Sequence, residues 1–223
     1  MSDLADATSP EVVGAALVIV PVGSIEQHGP HLPLDTDTAI ATGVAGAAAA
    51  ELPGSWVAPA LSYGSSGEHQ TFAGTSSIGT DALKLVVVEL TRSLRTWADR
   101  VLFVNAHGGN IAALNGAVEQ LTAEGHRVAW IPCATESIDL HAGRTETSLM
   151  LHLRPGSVRL ARAVAGNVQS LQEILPTMRQ HGVGAVSANG VLGDPAGANA
   201  EEGQVVLKAM TADVVRAVGE GGP

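Results

Sequence analysis

Aromatic residues are scarce in this chain of 223 residues: Phe, Trp and Tyr together make up 3%. Hydrophobic residues still reach 45%, and the mean hydropathy is +0.21. A disordered chain is therefore excluded, and the core has to be aliphatic. One cysteine, Cys133, allows no intrachain disulfide, as suits a reducing compartment. Basic residues are also few. Twelve Lys and Arg stand against 22 Asp and Glu, a formal net charge of -10. That balance disfavours nucleic acid and anionic membrane as partners. The longest apolar run near the start, Ala15–Val22, falls far short of the roughly 20 residues that span a bilayer. Met1 to Glu11 is acidic and polar and lacks the basic n-region of a signal peptide. We expect a cytoplasmic protein. A nucleotide-binding module finds no support either: Gly108-Gly109 is no G-x-G-x-x-G, and no P-loop Lys is present.

What is there reads as an alternation of short apolar runs and longer helical segments. Ala15–Val22, Ser55–Ala60, Val101–Val104 and Arg127–Ile131 read as strands buried in a sheet. Thr36–Glu51, Asp81–Ala98, Ile111–Glu124, Glu146–Leu153 and Ala200–Val218 read as helices. Thr36 or Thr38 is the expected N-cap of the first, Thr145 of the fourth, and Gly125 follows the third. Gln180–Ala200 is Gly-rich and irregular. Such alternation implies a mostly parallel sheet with ligands bound at the carboxyl ends of its strands. No internal repeat or linker divides residues 1–223, so we expect one domain.

Acids and histidines crowd into a few loops. The loop after the first strand carries Glu26, His28, His31, Asp35 and Asp37 within twelve residues. Mixed imidazole and carboxylate donors suit Zn²⁺, Mn²⁺ or Fe²⁺, and a carboxylate such as Asp37 can bridge two cations. Taken singly, these residues read equally well as solvated loop positions. Asn105-Ala106-His107-Gly108-Gly109-Asn110 follows the third strand, where glycines let the backbone approach a ligand closely. In His141–Ser148, Glu146 would stand in the first turn of a helix, where the helix dipole favours a carboxylate in any case. A Gly- and Ser-rich loop carries Glu68 and His69. His152 reads as a packed histidine, and His126 and His181 as surface residues.

Four segments resemble the creatininase family. They are Pro21–Asp37; Gly67-Glu68-His69 with Phe72 and Gly74-Thr75; Asn105–Asn110; and His141–Ser148. They occur in the family's order and cover the chain from about Ala15 to about Arg159. The resemblance implies a three-layer α/β/α sandwich around a central, mostly parallel sheet, with a two-cation centre (Zn²⁺, Fe²⁺ or Mn²⁺) and amide hydrolysis. By carry-over, Glu26, Asp37 and His107 would hold one cation, and His28, the shared Asp37 and an acid the other. In creatininase that acid lies two positions after the loop histidine. Here that position is Gly109, and Glu146 is the candidate replacement. His141 would donate a proton to the leaving nitrogen or stabilise the oxyanion, with His31, Glu68 and His69 orienting the substrate or supporting the ligands from behind. Creatininase also keeps tryptophans near its substrate, whereas none follows Trp130 here, which argues against creatinine. The Asp35-Thr36-Asp37 form and His-Ala-Gly-Arg-Thr-Glu-Thr-Ser resemble the branch found with mycofactocin biosynthesis. The implied activity is that of a peptidase releasing a C-terminal Val-Tyr dipeptide from a modified precursor peptide. The alternatives are a family hydrolase acting on a small cyclic or formyl amide, and a metal-binding protein without turnover. A homo-oligomer, a hexamer by resemblance, is expected.

Overall fold

The computed structural model describes residues 3–134 and 140–220. Four parallel strands form the sheet: β1 (Leu17–Val22), β2 (Ser55–Val57), β3 (Val101–Asn105) and β4 (Val128–Pro132), in the order β2-β1-β3-β4. β1 and β3 are central and buried along their whole length, which is why they read as unbroken apolar runs. β2 is shorter than expected. Beyond Val57 the chain stays beside β1 through single bonds, from Ala58 N to Ile19 O and from Leu61 N to Pro21 O. Pro21 is tolerated in a central strand because its missing N–H faces this side, past the end of the regular ladder.

Helices cover both faces. On one lie α2 (Thr80–Leu94) and α3 (Ile111–Ala123), packing Leu83, Val87, Leu114 and Leu121 onto Val18, Val20, Val101 and Phe103. On the other lie α1 (Thr36–Glu51), α4 (Arg144–Leu153) and α6 (Ala200–Gly219), packing Ile40, Val44, Leu149 and Met210 onto Leu17, Ile19, Leu102 and Val104. This is the expected three-layer α/β/α architecture. α5 (Leu171–His181), absent from the sequence reading, packs Ile174 on Val183 and Leu192 in a satellite cluster. Its signal was a capping box: Ser170 Oγ donates to Glu173 Oε2 at 2.7 Å, and the Ser170 N–H to the same oxygen at 2.9 Å. Pro176 and an exposed Gln172 broke the periodicity that would have exposed it.

Two expected caps are corrected. Asp35, not Thr36 or Thr38, is the N-cap of α1. The Thr36 hydroxyl donates to Pro33 O, and that of Thr38 to Ser24 O. Gly143 rather than Thr145 is the N-cap of α4, so Glu146 sits at its third position.

The strand order reverses at β1: α1 leads outward to β2, and α2 leads back across to β3. The loops leaving the carboxyl ends of β1 and β3 therefore open side by side into one crevice, the usual ligand position in open parallel sheets.

Candidate metal centre

That crevice collects most of the predicted residues and buries them. Glu26 and His28 are fully buried, and Asp37, His107 and His141 nearly so. Asp37 occupies the second position of α1, where helix N–H dipoles favour an anion. It stands between two histidines. His28 Nε2 is 3.0 Å from Asp37 Oδ1, and His107 Nδ1 is 3.3 Å from Oδ2, which also accepts the Ser24 hydroxyl at 2.7 Å. Burial alone would raise the carboxyl of Asp37; the two histidines hold it well below the usual range. Glu146 approaches from α4, its Oε2 3.9 Å from His28 Nε2. The Ala142 N–H donates to that oxygen at 2.5 Å. Ala142 takes a φ of 53°, in the left-handed region that an alanine rarely adopts. The strain turns the chain sharply between His141 and the helix carrying Glu146.

Backbone carbonyls fix which ring nitrogen of each histidine faces inward. His28 Nδ1–H donates to Glu26 O at 3.1 Å, His107 Nε2–H to Ser65 O at 3.0 Å, and His141 Nε2–H to Gln27 O at 2.8 Å. The inward atoms are then His28 Nε2, His107 Nδ1 and His141 Nδ1, each turned toward a carboxylate. Fixing a ring by its second N–H is how ligating histidines are held.

Divalent cations fit this arrangement. Both carboxylate oxygens of Glu26 are buried without a hydrogen-bond partner, although His69 Nε2 and His107 Nε2 each stand 3.2 Å away. Burial pushes its carboxyl up to about 7 against the pull of His107. Burial likewise disfavours charge on His28 and His107, yet the surrounding carboxylates lift both to about 10. In the protein alone, protons settle this crowding of charge; a cation settles it with carboxylates ionised and histidines neutral. Donor atoms roughly 2.1 Å from one cation stand about 3 Å apart, the separation seen around Asp37. Among the described residues, three sets have ligand atoms within 4.8 Å of one another: Glu26–His28–Asp37, His28–His141–Glu146 and Glu26–His69–His141.

At Gly109, where the resemblance implied a missing acid, the space for a side chain is already taken. A Cβ there would run into the Ser65 carbonyl, the His107 ring and, at 2.6 Å, Glu68 Oε1. Glu68 itself is partly exposed and reaches to 3.5 Å from His107 Nε2. His31 stands back from the centre. It is fully buried, lines neither cavity at the centre, and meets the Thr147 hydroxyl of α4 at 2.9 Å. Asp35 is also outside the centre, paired with Arg154 at 2.7 Å. Burial and the nearby Asp37 push the Cys133 thiol up, away from nucleophilic thiolate.

Two residues went unread in the sequence. Gln27 lies buried beneath two histidines, its side-chain N–H₂ donating to His69 Nδ1 at 2.8 Å and to Gly190 O at 3.0 Å. Asn110 ties three loops together: its Nδ2 donates to Gly23 O and Asn105 Oδ1, each at 3.0 Å, and its Oδ1 accepts from Ser65 N at 2.8 Å. Both sit inside motifs, where an amide beside acids and histidines reads as spacing rather than as support.

Two cavities meet at His107, His141 and Glu146. One, of about 260 Å³, runs toward Ile40 and Met210. The other, of about 1110 Å³, opens past Glu68 and His69 to α5.

Residues 5–218 match the family model for creatininase, described as creatinine amidohydrolase. A relative named mycofactocin precursor peptide peptidase, from Mycobacterium tuberculosis (strain ATCC 25618 / H37Rv), is 51% identical over 228 residues, covering 98% of this chain and 91% of that protein. A solved glutamate-to-glutamine creatininase variant of the Zn-Zn type superposes with a TM-score of 0.80 at 25% identity, covering 100% of this chain and 99% of its own. A structure named creatininase Mn gives the same score and identity with 100% of both chains covered. With its sheet order, its crowded crevice and a family match running from residue 5 to residue 218, the chain belongs to the creatininase family.

Proposed function

We propose that this chain, working as one domain, is a two-cation amide hydrolase: a peptidase that releases the C-terminal Val-Tyr dipeptide from a modified mycofactocin precursor peptide. The observation that carries the chemistry is the Glu26 carboxylate, buried with both oxygens lacking a hydrogen-bond partner and with His69 Nε2 and His107 Nε2 each 3.2 Å away. The peptidase reading is supported by the 51% identical relatives of that name. Glu26, Asp37 and His107 hold one cation; His28, Asp37 and Glu146 hold the other. Bound divalent cations supply a water acidified toward neutral pH and positive charge for the carbonyl oxygen.

The chain's own residues do the rest. Burial keeps His141 well below the usual histidine range, so it enters the reaction neutral. Its Nδ1 is free to take a proton while Nε2–H stays on Gln27 O. It then passes that proton to the leaving nitrogen as the amide C–N bond breaks. His69, with Nδ1 held by Gln27, stands with its Nε2 3.2 Å from Glu26 Oε1 and fills the space beside that carboxylate. Glu68, at the mouth of the large cavity, faces the substrate.

A second reading, hydrolysis of a small cyclic or formyl amide, is favoured by the cavity of about 260 Å³ at the same centre. The neighbouring space of about 1110 Å³ is more than such a substrate fills and suits a peptide. The test measures metal content and cleavage of a Val-Tyr-ended peptide beside small amides, for wild type and Glu26→Gln. We expect close to two cations and peptide cleavage in wild type, and both reduced in the variant. A variant with full metal and full activity overturns the assignment.

A further inference from the structure

Two buried histidines flank Glu26, and either could serve a cation beside it. His69 Nε2 lies 3.2 Å and His141 Nδ1 3.7 Å from Glu26 Oε1, and the two ring centres are 4.4 Å apart. Of the three potential ligand sets among the described residues, Glu26–His69–His141 is the one that contains His69. All three of its side chains line the large cavity. A cation seated there would occupy His141 Nδ1, the atom that takes the proton in amide hydrolysis. The two histidines therefore have to be kept in different roles, and Gln27 touches both.

The backbone dictates how the Gln27 amide is turned. Its Oε1 accepts the Gly29 N–H at 2.9 Å, and its Nε2 donates to Gly190 O at 3.0 Å. A flipped amide would set two donors against each other at Gly29 and two acceptors at Gly190. Gly190 has a φ of 81°, and a Cβ there would overlap the Gln27 side chain, so the fit is made for this glycine. One N–H of Gln27 remains. His141 Nε2 is 3.0 Å away, but it gives its own proton to Gln27 O at 2.8 Å and cannot accept. The acceptor is His69 Nδ1, at 2.8 Å. Burial pushes His69 down to about 3, so its ring is neutral and carries a single proton. With Nδ1 accepting, that proton sits on Nε2, the nitrogen beside Glu26. Moving it to Nδ1, as ligation through Nε2 requires, would turn two buried donors against each other at 2.8 Å.

We infer that Gln27 is a positioning residue that holds His69 in its Nε2–H form, bars it from ligating a cation through that nitrogen, and so keeps a third cation off His141. This rests on the two-cation reading and deepens it, because one side-chain amide then limits how many cations the crevice takes. Gln27 acts through His69 and not on the reacting atoms.

Neutron diffraction from deuterated, metal-free crystals of the wild-type chain reads the ring protons directly and needs no variant. We expect deuterium on Nε2 of both His69 and His141, with both Nδ1 atoms bare. Deuterium on His69 Nδ1 would overturn the inference. A second arm counts zinc on the full chain by equilibrium dialysis and elemental analysis. Wild type should saturate near two zinc ions and Gln27→Met near three, because methionine cannot donate to His69. Gln27→Met combined with His69→Phe should return to two. In excess zinc, Gln27→Met should lose about tenfold or more in kcat with KM little changed, and it should recover when zinc is limiting. A merely structural role would lower activity at both zinc levels alike. An unchanged zinc count in Gln27→Met, with a wild-type circular dichroism spectrum, would overturn the inference and leave the two-cation reading standing. Wild type saturating at a single zinc ion would overturn the two-cation reading instead, and would leave the placement of the His69 proton standing.

Discussion

Two regions of this molecule are equally buried and opposite in what burial does to them. Between the sheet and α2/α3, Val18, Val20, Leu83, Val87 and Phe103 are wholly enclosed, and each gains by leaving water. At the carboxyl ends of the same strands, Glu26, His28 and Asp37 are just as enclosed, and each loses hydration that their mutual contacts replace only in part. The strands that gain stability from one region hold the other in place.

The contrast predicts opposite signs for truncation. Phe103→Ala, at the centre of the aliphatic cluster, should lower unfolding stability by about 3–5 kcal/mol in urea titration, with or without metal. Glu26→Gln should leave less than about one hundredth of wild-type peptide cleavage, a larger loss than outer-shell changes at metal sites produce. In metal-free protein, Glu26→Gln should raise unfolding stability by about 1–3 kcal/mol, since it removes a buried charge without a partner. The pH dependence follows from the raised carboxyl of Glu26, at about 7 in the folded protein. The folded state prefers the protonated form, so wild type loses stability as pH rises from the unfolded value of roughly 4.3 through about 7. Gln mimics that protonated form. The gap between variant and wild type should therefore be small at pH 5 and widest at pH 8, read as the difference in melting temperature. Loss of stability at every pH would erase the distinction between the two regions.

Smaller changes sharpen it. Gly109→Ala should weaken metal binding about tenfold, since the new methyl must displace Glu68 or the His107 ring. Competition with a chromogenic chelator measures this. Asp35→Asn should cost less than about 1 kcal/mol at neutral pH, because the side chains of the Asp35–Arg154 pair are only partly buried and water screens them.

The aliphatic region was legible in the sequence because apolar runs report burial directly. Val101–Val104 and Ile111–Glu124 differ from β3 and α3 by a residue at one end. The polar region was legible as composition, and its clustering of Glu26, His28, Asp37 and Glu146 agrees with the residues singled out. Their orientation was not legible. Nothing in the order Glu26-Gln27-His28 says that carbonyls 26 and 27 would each hold a histidine ring, because that depends on where His141 arrives from more than a hundred residues away. α5 escaped for a different reason. Its stability comes from a small satellite cluster and one capping box, so it carries few apolar residues, and Pro176 disguises those.

The centre is completed only by α4. Donors at positions 26, 28, 37 and 107 are in hand well before Glu146 on that helix. On the proposed two-cation reading, the ribosome releases the first loop early during synthesis, but the second cation would lack its full set of donors until position 146 has emerged and docked. On that reading, metal capture would signal that assembly has finished, and truncated chains should bind divalent cations poorly.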